Sequence, residues 1–334
     1  MPTSGSWNYS VSALQVITSA YEDIGVIANG QTIDPNDLST GLRTLNLLVK
    51  QWMGLNAKFP GLQQWTRQRL VLFLNQGQNR YSVGPAATDD RASVNSLATT
   101  LSASKAANAT GVTVSSTAGM TAADQIGFVT TAGTLGWTTI SSVDSATGLT
   151  LPANSVGAAG VGGVVYTYTS KAQRFVECEA ASLRDNSQAG QPIDIPMELY
   201  TDVQQYEHIT QKYAAGDPTA ALIEYGRAST IITTNFAAAN VYKSLRLTVI
   251  YPSEDYDDAT GADDISYPQE YYAALEWELA RRCAPKFGRT WTPDLMQHWK
   301  IAVEEGINLN PDNTSLSFEP ARDTTDVGSP FTRP

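Results

Sequence analysis

An α+β fold is predicted, in which a helical body carries an inserted small all-β barrel or sandwich and ends in an extended tail. Three observations predict it. Residues 10–25, 35–53, 268–284 and 293–308 place apolar side chains at helical spacing. From Asn95 to Ser170 only Lys105, Asp124 and Asp144 are charged, and short alternating runs there are separated by turn signals. From Asn310 onward come four prolines and no apolar period. The chain divides into 1–90 (first part of the body), 91–172 (charge-poor β insert), 173–309 (remainder of the body) and 310–334 (arm).

Each element has a local reason. Leu14, Ile17, Tyr21 and Ile24 make the first helix, with Gly25 placed to end it. Asp34-Pro35 opens the second with a capping carboxylate and a proline at the first helical position. Its stripe is Leu38, Leu42, Leu45, Val49 and Trp52. The period then changes to two. Residues 69–75 read as a mostly buried strand, turned by Asn75-Gln-Gly-Gln-Asn79 into Arg80–Val83.

In the insert, Val112 and Val114, Ile126 and Phe128, Thr138 and Ile140, Leu149 and Leu151, and Val164 to Tyr168 mark about five strands. Beyond it, Phe175–Ala180 is a strand whose Glu177 and Glu179 share an exposed face. Pro192–Pro196 leads to a short helix over 202–210. Strands follow near 221–225 and 244–250, then an acidic loop from Glu254 to Asp264. The helix after Pro268 carries two apolar faces, Tyr272, Leu275, Leu279 and Cys283 on one, and Ala273, Trp277, Ala280 and Ala284 on the other. Pro285 stops it. Thr292-Pro293-Asp294 caps the last helix.

Length and charge bound the function. With 334 residues and 42% hydrophobic content the chain can bury two cores of ordinary size. A net charge of −11 argues against sequence-independent affinity for duplex DNA, which rests on Lys and Arg neutralising phosphates. An acidic surface can still face DNA that must slide past it. Cys178 and Cys283 give no disulfide framework and are expected as free thiols. No signal peptide or membrane-length apolar run is visible, so synthesis in the cytoplasm and no membrane partner are expected.

No residue pattern points to chemistry. Two histidines, His208 and His298, exclude a three-histidine zinc site, and no cofactor is expected. The run from Gly157 to Gly163 lacks phosphate-loop spacing and precedes a strand, so it reads as a turn. The acidic loop has Thr260 where a calcium-binding loop needs glycine, and reads as solvated. Arg281, Arg282, Lys286 and Arg289 cluster where a helix ends, complementing its dipole or offering a contact to a partner or to DNA.

Several segments, taken in order, carry a resemblance. They are Ala28-Asn-Gly30, Asp37-Leu38, Leu45-Asn-Leu-Leu48, Gln51-Trp52, Arg80-Tyr-Ser-Val-Gly-Pro85, Leu183-Arg184-Asp185, Pro192-Ile193, Tyr200, Tyr267-Pro268-Gln-Glu-Tyr-Tyr272 and Leu279-Ala280. Over residues 10–85 and 172–310 the chain resembles the head-to-tail adaptors, or tail accessory factors, of short-tailed phages, also called packaged-DNA stabilisation proteins. The resemblance implies a virion protein without catalytic activity, at the head–tail junction. It implies a ring of twelve copies under the portal protein that retains DNA, passes it without sequence-specific contact, and receives a tail nozzle or fibre protein. It further implies that 310–334 is a portal-binding arm, with Phe318, Arg322 and Phe331 as contacts. The insert departs from the family pattern. Two other readings remain: a virion-associated cell-wall hydrolase, and a glycan-binding module using Trp137, Tyr166 and Tyr168 of the insert.

Overall fold

A computed structural model describes residues 9–53, 65–85, 91–153, 156–187, 192–210, 212 and 214–308. Two helices come first. Helix α1 (Ala13–Asp23) starts at a reciprocal cap, Gln15 N to Ser12 Oγ at 3.3 Å and Ser12 N to Gln15 Oε1 at 2.9 Å. Helix α2 (Pro35–Trp52) starts where Asn36 N donates to Asp34 Oδ1 at 2.9 Å. The two cross closely at Gly41, where a Cβ would stand 2.6 Å from Ile17 Cγ2.

Next come β1 (Arg67–Phe73), β2 (Arg80–Val83) and β3 (Arg91–Ser93). The insert supplies β4 (Ser96–Thr100), β5 (Gly111–Thr113), β6 (Gln125–Val129), β7 (Leu135–Thr139), β8 (Ser142–Val143), β9 (Gly148–Thr150) and β10 (Val164–Tyr168). Then follow β11 (Glu177–Asp185), β12 (Ile193–Tyr200) and a short α3 (Val203–Glu207). Strands β13 (Ala215–Gly216), β14 (Ala220–Tyr225), β15 (Thr230–Thr234), β16 (Ala237–Ala238) and β17 (Lys243–Ile250) complete the set. Helices α4 (Tyr272–Cys283) and α5 (Pro293–Asn308) close the described chain.

The body is therefore not chiefly helical, as expected from the sequence, but a barrel-like sheet flanked by helices. Eight strands run in the order β2-β15-β14-β12-β11-β17-β1-β3. Consecutive strands β1 and β2 lie toward opposite ends of that order, yet only residues 74–79 join them. So short a link forces the sheet to curl until its ends nearly meet. Leu70, Leu72, Tyr81, Val83, Phe175, Leu183, Ile223, Ile232, Leu245 and Leu247 fill the interior.

Four sequence expectations need correction here. Pro192–Pro196, read only as the lead-in to a short helix, runs instead into the strand β12, where Pro196 has a strand partner on the β11 side alone and its missing N–H is tolerated. Residues 230–234 form β15, an unforeseen strand between β14 and β2. Glu177 and Glu179 do not share a regular strand face: a bulge between Cys178 and Ala180 leaves Glu179 unmatched. Its carboxylate grips Arg67 twice, at 2.6 and 2.5 Å. On α4, Ala273 is exposed and Trp277 half-buried, while Ala274, Leu275, Glu278, Leu279, Ala280 and Cys283 are buried. The reason is that α1 and α2 cover one flank and α5 the other.

The insert forms two small sheets, β4-β10-β6-β7 and β5-β9-β8, over a shared core of Val112, Val114, Ile126, Phe128, Ile140, Leu149 and Val165. Strand β3 pairs with β1, so the barrel sheet extends to Ser93 before the insert departs. The return is fixed where Ala172 N donates to Ala92 O at 2.8 Å. Phe73, on the outer wall of β1, packs against Trp137, Tyr166 and Tyr168 with ring centroids 5.1, 5.0 and 6.0 Å away. Arg91 lies 5.0 Å above the Trp137 ring and donates to the Tyr168 hydroxyl at 2.6 Å. Removing the central ring, Phe73→Ala, is expected to cost about 3–5 kcal/mol in denaturant unfolding. Leu97→Ala, at a residue 40% exposed, should change stability by no more than about 0.5 kcal/mol.

Candidate functional site

The residues singled out from the sequence fall in four places. The first is the insert, where the three charges between Asn95 and Ser170 serve its own structure. Lys105 is 3% exposed, donating to Val156 O at 2.9 Å, Ala106 O at 3.2 Å and Gly157 O at 3.4 Å, above the Phe128 ring. The glycine run thus turns part of its backbone toward an ammonium. Burial lowers the Lys105 pKa from its ordinary value. Buried Asp124 accepts from Thr121 N at 2.7 Å and Thr121 Oγ1 at 3.0 Å. Exposed Asp144 accepts from Ser142 and Thr150, whose hydroxyls hold its carboxyl below the usual range. What remains outside is hydroxyls, backbone and scattered apolar groups such as Leu97, Val143 and Val161. Depletion of charge is the compositional mark of an interface core.

The aromatic trio of the insert is not free to hold a sugar. Tyr166 and Tyr168 are each 2% exposed, and with half-buried Trp137 they join the insert to the barrel. The Tyr166 hydroxyl donates to Tyr242 O at 3.1 Å and accepts from Asn186 Nδ2 at 3.2 Å. That removes the platform on which the glycan-binding reading relied.

The basic cluster is largely spent within the chain. Glu278, 4% exposed, accepts from Arg281 at 2.6 and 3.2 Å, from Arg282 at 3.2 Å and from Trp299 Nε1 at 2.6 Å. The Arg281 guanidinium also lies 5.0 Å over the Trp299 ring. Arg282 reaches Gln51 Oε1 at 2.7 Å and Lys286 reaches Thr44 Oγ1, so α4 is tied to α2 and α5 through these side chains. Burial alone would raise the Glu278 carboxyl, but hydrogen bonds from Arg281, Trp299 and Arg282 and the charge of Arg281 lower it instead. Of the four cations, exposed Arg289 makes no side-chain hydrogen bond or ion pair with a described residue. Phe318, Arg322 and Phe331 of the arm lie outside the described residues.

A carboxyl pair between α1 and α4 has no counterpart in the sequence reading. Glu276 accepts from Ser19 Oγ at 2.5 Å and faces Asp23, whose buried Oδ2 has no other partner. Burial raises both carboxyls; Glu22 raises them further, while His298 opposes this at Asp23. Both carboxyls are thereby held above their ordinary range, and the titration of each depends on the other.

The acidic loop is pinned rather than merely solvated. Tyr256 inserts into the helical core, exchanging hydrogen bonds with Asn46 at 2.8 and 2.9 Å. Asp263 accepts from the Asp257 and Asp258 amides at 3.0 and 2.9 Å, and Asp255 pairs with Lys50 at 2.9 Å. Among the described residues no group of three or more His, Cys, Asp or Glu is placed to hold a metal ion. Cys178 and Cys283 are both free thiols. No helix among the described residues is long and apolar enough to cross a membrane.

Among the described residues, then, these charged side chains fasten elements to each other, and the insert presents a surface poor in charge. No protein-family model matches the chain, and no curated protein matches it.

Two measurements check the electrostatics. A carboxyl raised on folding favours the folded state at low pH and loses that contribution as pH rises from about 4 through the raised value. Asp23→Asn is therefore expected to flatten the fall in stability above that pH and to raise the melting temperature at pH 8. For Lys105 the lowered value means the folded state gains stability as pH climbs toward about 10.4. Lys105→Met, which leaves the Ala106, Val156 and Gly157 carbonyls without this donor, should destabilise the protein by about 1–3 kcal/mol at neutral pH and abolish that gain.

Proposed function

We propose that this chain is a structural head-to-tail connector of a short-tailed phage virion, with no chemistry of its own. It assembles into a ring of twelve copies beneath the portal protein, retains packaged DNA, lets it pass during ejection, and receives a nozzle or fibre protein below. The observation that carries this reading is how the segments bearing the resemblance meet in space. Leu45, Leu48 and Trp52 of α2 share one core with Tyr267, Tyr271, Leu279 and Ala280, more than 200 residues away in sequence. The Trp52 and Tyr267 rings stack at 6.3 Å and 9°, and the Tyr267 hydroxyl donates to Val49 O at 3.0 Å. Tyr81, Val83 and Leu183 sit together inside the barrel. Dispersed motifs that build a frame, and converge on no reactive group, suit a family defined by shape.

The physics of assembly supports the same reading. A ring needs a heterologous interface that closes by rotation, and the neutral surface of the insert can be buried at small desolvation cost. A net charge of −11 repels phosphates and keeps a DNA path from becoming adhesive. Exposed Arg289 and the arm residues Phe318, Arg322 and Phe331 are the proposed contacts to the portal.

Mixing the purified chain with portal protein tests this. A stable complex, twelvefold by electron microscopy, is expected, with residues 310–334 becoming resistant to protease. Phe318→Ala with Phe331→Ala should weaken portal binding at least about tenfold, a change of about 1.4 kcal/mol. A monomer that ignores portal at micromolar concentration would end the proposal.

A further inference from the structure

A cleft of about 880 Å³ opens at one end of the barrel, where β2, β14 and β17 finish and β1 and β11 begin. Chain stretches just outside those strands line it: Trp65 before β1, Arg174 before β11, Arg227 after β14 and Tyr251 after β17. The end of α2 and the stretch from Ser253 to Asp255 wall the far side. Barrel mouths of this size commonly hold small ligands.

Three features of the cleft are unexplained by the fold. The side chains of half-buried Arg174 and exposed Arg227 make no ion pair or hydrogen bond with a described residue, although acids outnumber bases in this chain 33 to 22. Tyr251 is 9% exposed, and its buried hydroxyl has no hydrogen-bond partner. A buried hydroxyl left unpaired costs about 1–3 kcal/mol. Trp65 is 60% exposed while its Nε1 donates to Ser266 O at 3.0 Å, so the indole is held in place with its surface open. Lys50 pairs with Asp255, and the lining holds four cations, Lys50, Lys171, Arg174 and Arg227, against two acids, Glu254 and Asp255, so the cleft is net positive.

We propose that this cleft binds a phosphate carried by a nucleotide. Arg174 and Arg227 present planar forks that match phosphate oxygens. The Tyr251 hydroxyl supplies a further donor, and Trp65 offers a face on which a base stacks. The ligand is a free mononucleotide or one residue of a nucleic-acid strand, which share this chemistry. The proposal stands apart from the connector reading, since it concerns one chain and requires neither ring nor portal.

Titration calorimetry on the full chain tests it with four probes: inorganic phosphate, a nucleoside monophosphate, a short oligothymidylate and polyglutamate. The monophosphate and oligothymidylate are expected to bind, and phosphate more weakly. Affinity that rises with oligonucleotide length identifies a strand; equal affinity for the monophosphate identifies the free nucleotide. Arg174→Gln with Arg227→Gln should reduce binding at least tenfold. Trp65→Ala should weaken the nucleotide and spare phosphate. Tyr251→Phe, which preserves shape, should lower affinity severalfold with its melting temperature held. Binding of polyglutamate as tight as the oligonucleotide would assign the cleft to an acidic protein partner and overturn the proposal. So would the absence of any phosphate binding at millimolar concentration, or binding indifferent to Arg174 and Arg227.

Discussion

The second half of strand β1, Leu70 to Phe73, is covered on both faces, and the remaining architecture depends on that. Leu70 and Leu72 point into the barrel, while Val71 and Phe73 point out and are covered by the insert. Its ladder to β17 is seven residue pairs long, the register on which β11 is in turn aligned. The short turn after it delivers β2 to the opposite edge of the sheet. A change of register by one residue would exchange the two faces, emptying the barrel and unseating the insert together. Folding of the barrel and docking of the insert are thus one constraint, expressed in one seven-residue strand.

The helical parts were legible because their signals are local. Asp34-Pro35 caps and primes α2, and Thr292-Pro293 does the same for α5, each through contacts within a few residues. The insert was legible as β structure for a related reason: Ile126 with Phe128, and Val164 with Tyr166 and Tyr168, alternate within one strand. The barrel was not. Its closure depends on which strands become neighbours, and Thr230-Ile-Ile-Thr-Thr234 carries no mark that it will stand between β14 and β2. Pro196 argues against β12, and it is tolerable because at that residue the strand has a partner on the β11 side alone. The cleft was invisible for the same reason. Trp65, Arg174, Arg227 and Tyr251 come from four strand ends spread over the chain, with no spacing to detect.

Charge is used sparingly and mostly inward. Arg281 and Arg282 neutralise Glu278, Arg67 holds Glu179, and Arg184 with Arg246 holds Asp194 at 2.7 and 3.2 Å. The sequence reading took a basic cluster at a helix end as dipole complement or partner contact. The structure instead shows Arg281 and Arg282 drawn to a buried glutamate one turn earlier, while Lys286 reaches Thr44, so that three of those cations stitch helices together.

The barrel interior is solid. Leu70, Leu72, Tyr81, Phe175, Ile232, Leu245 and Val249 are each 2% exposed or less, leaving no bore along its axis. No thread of any thickness can run through one copy. In the ring proposed above, any conduit must be enclosed between copies, and its calibre would be set by how many stand in the circle and how each is tilted, not by the width of a single fold.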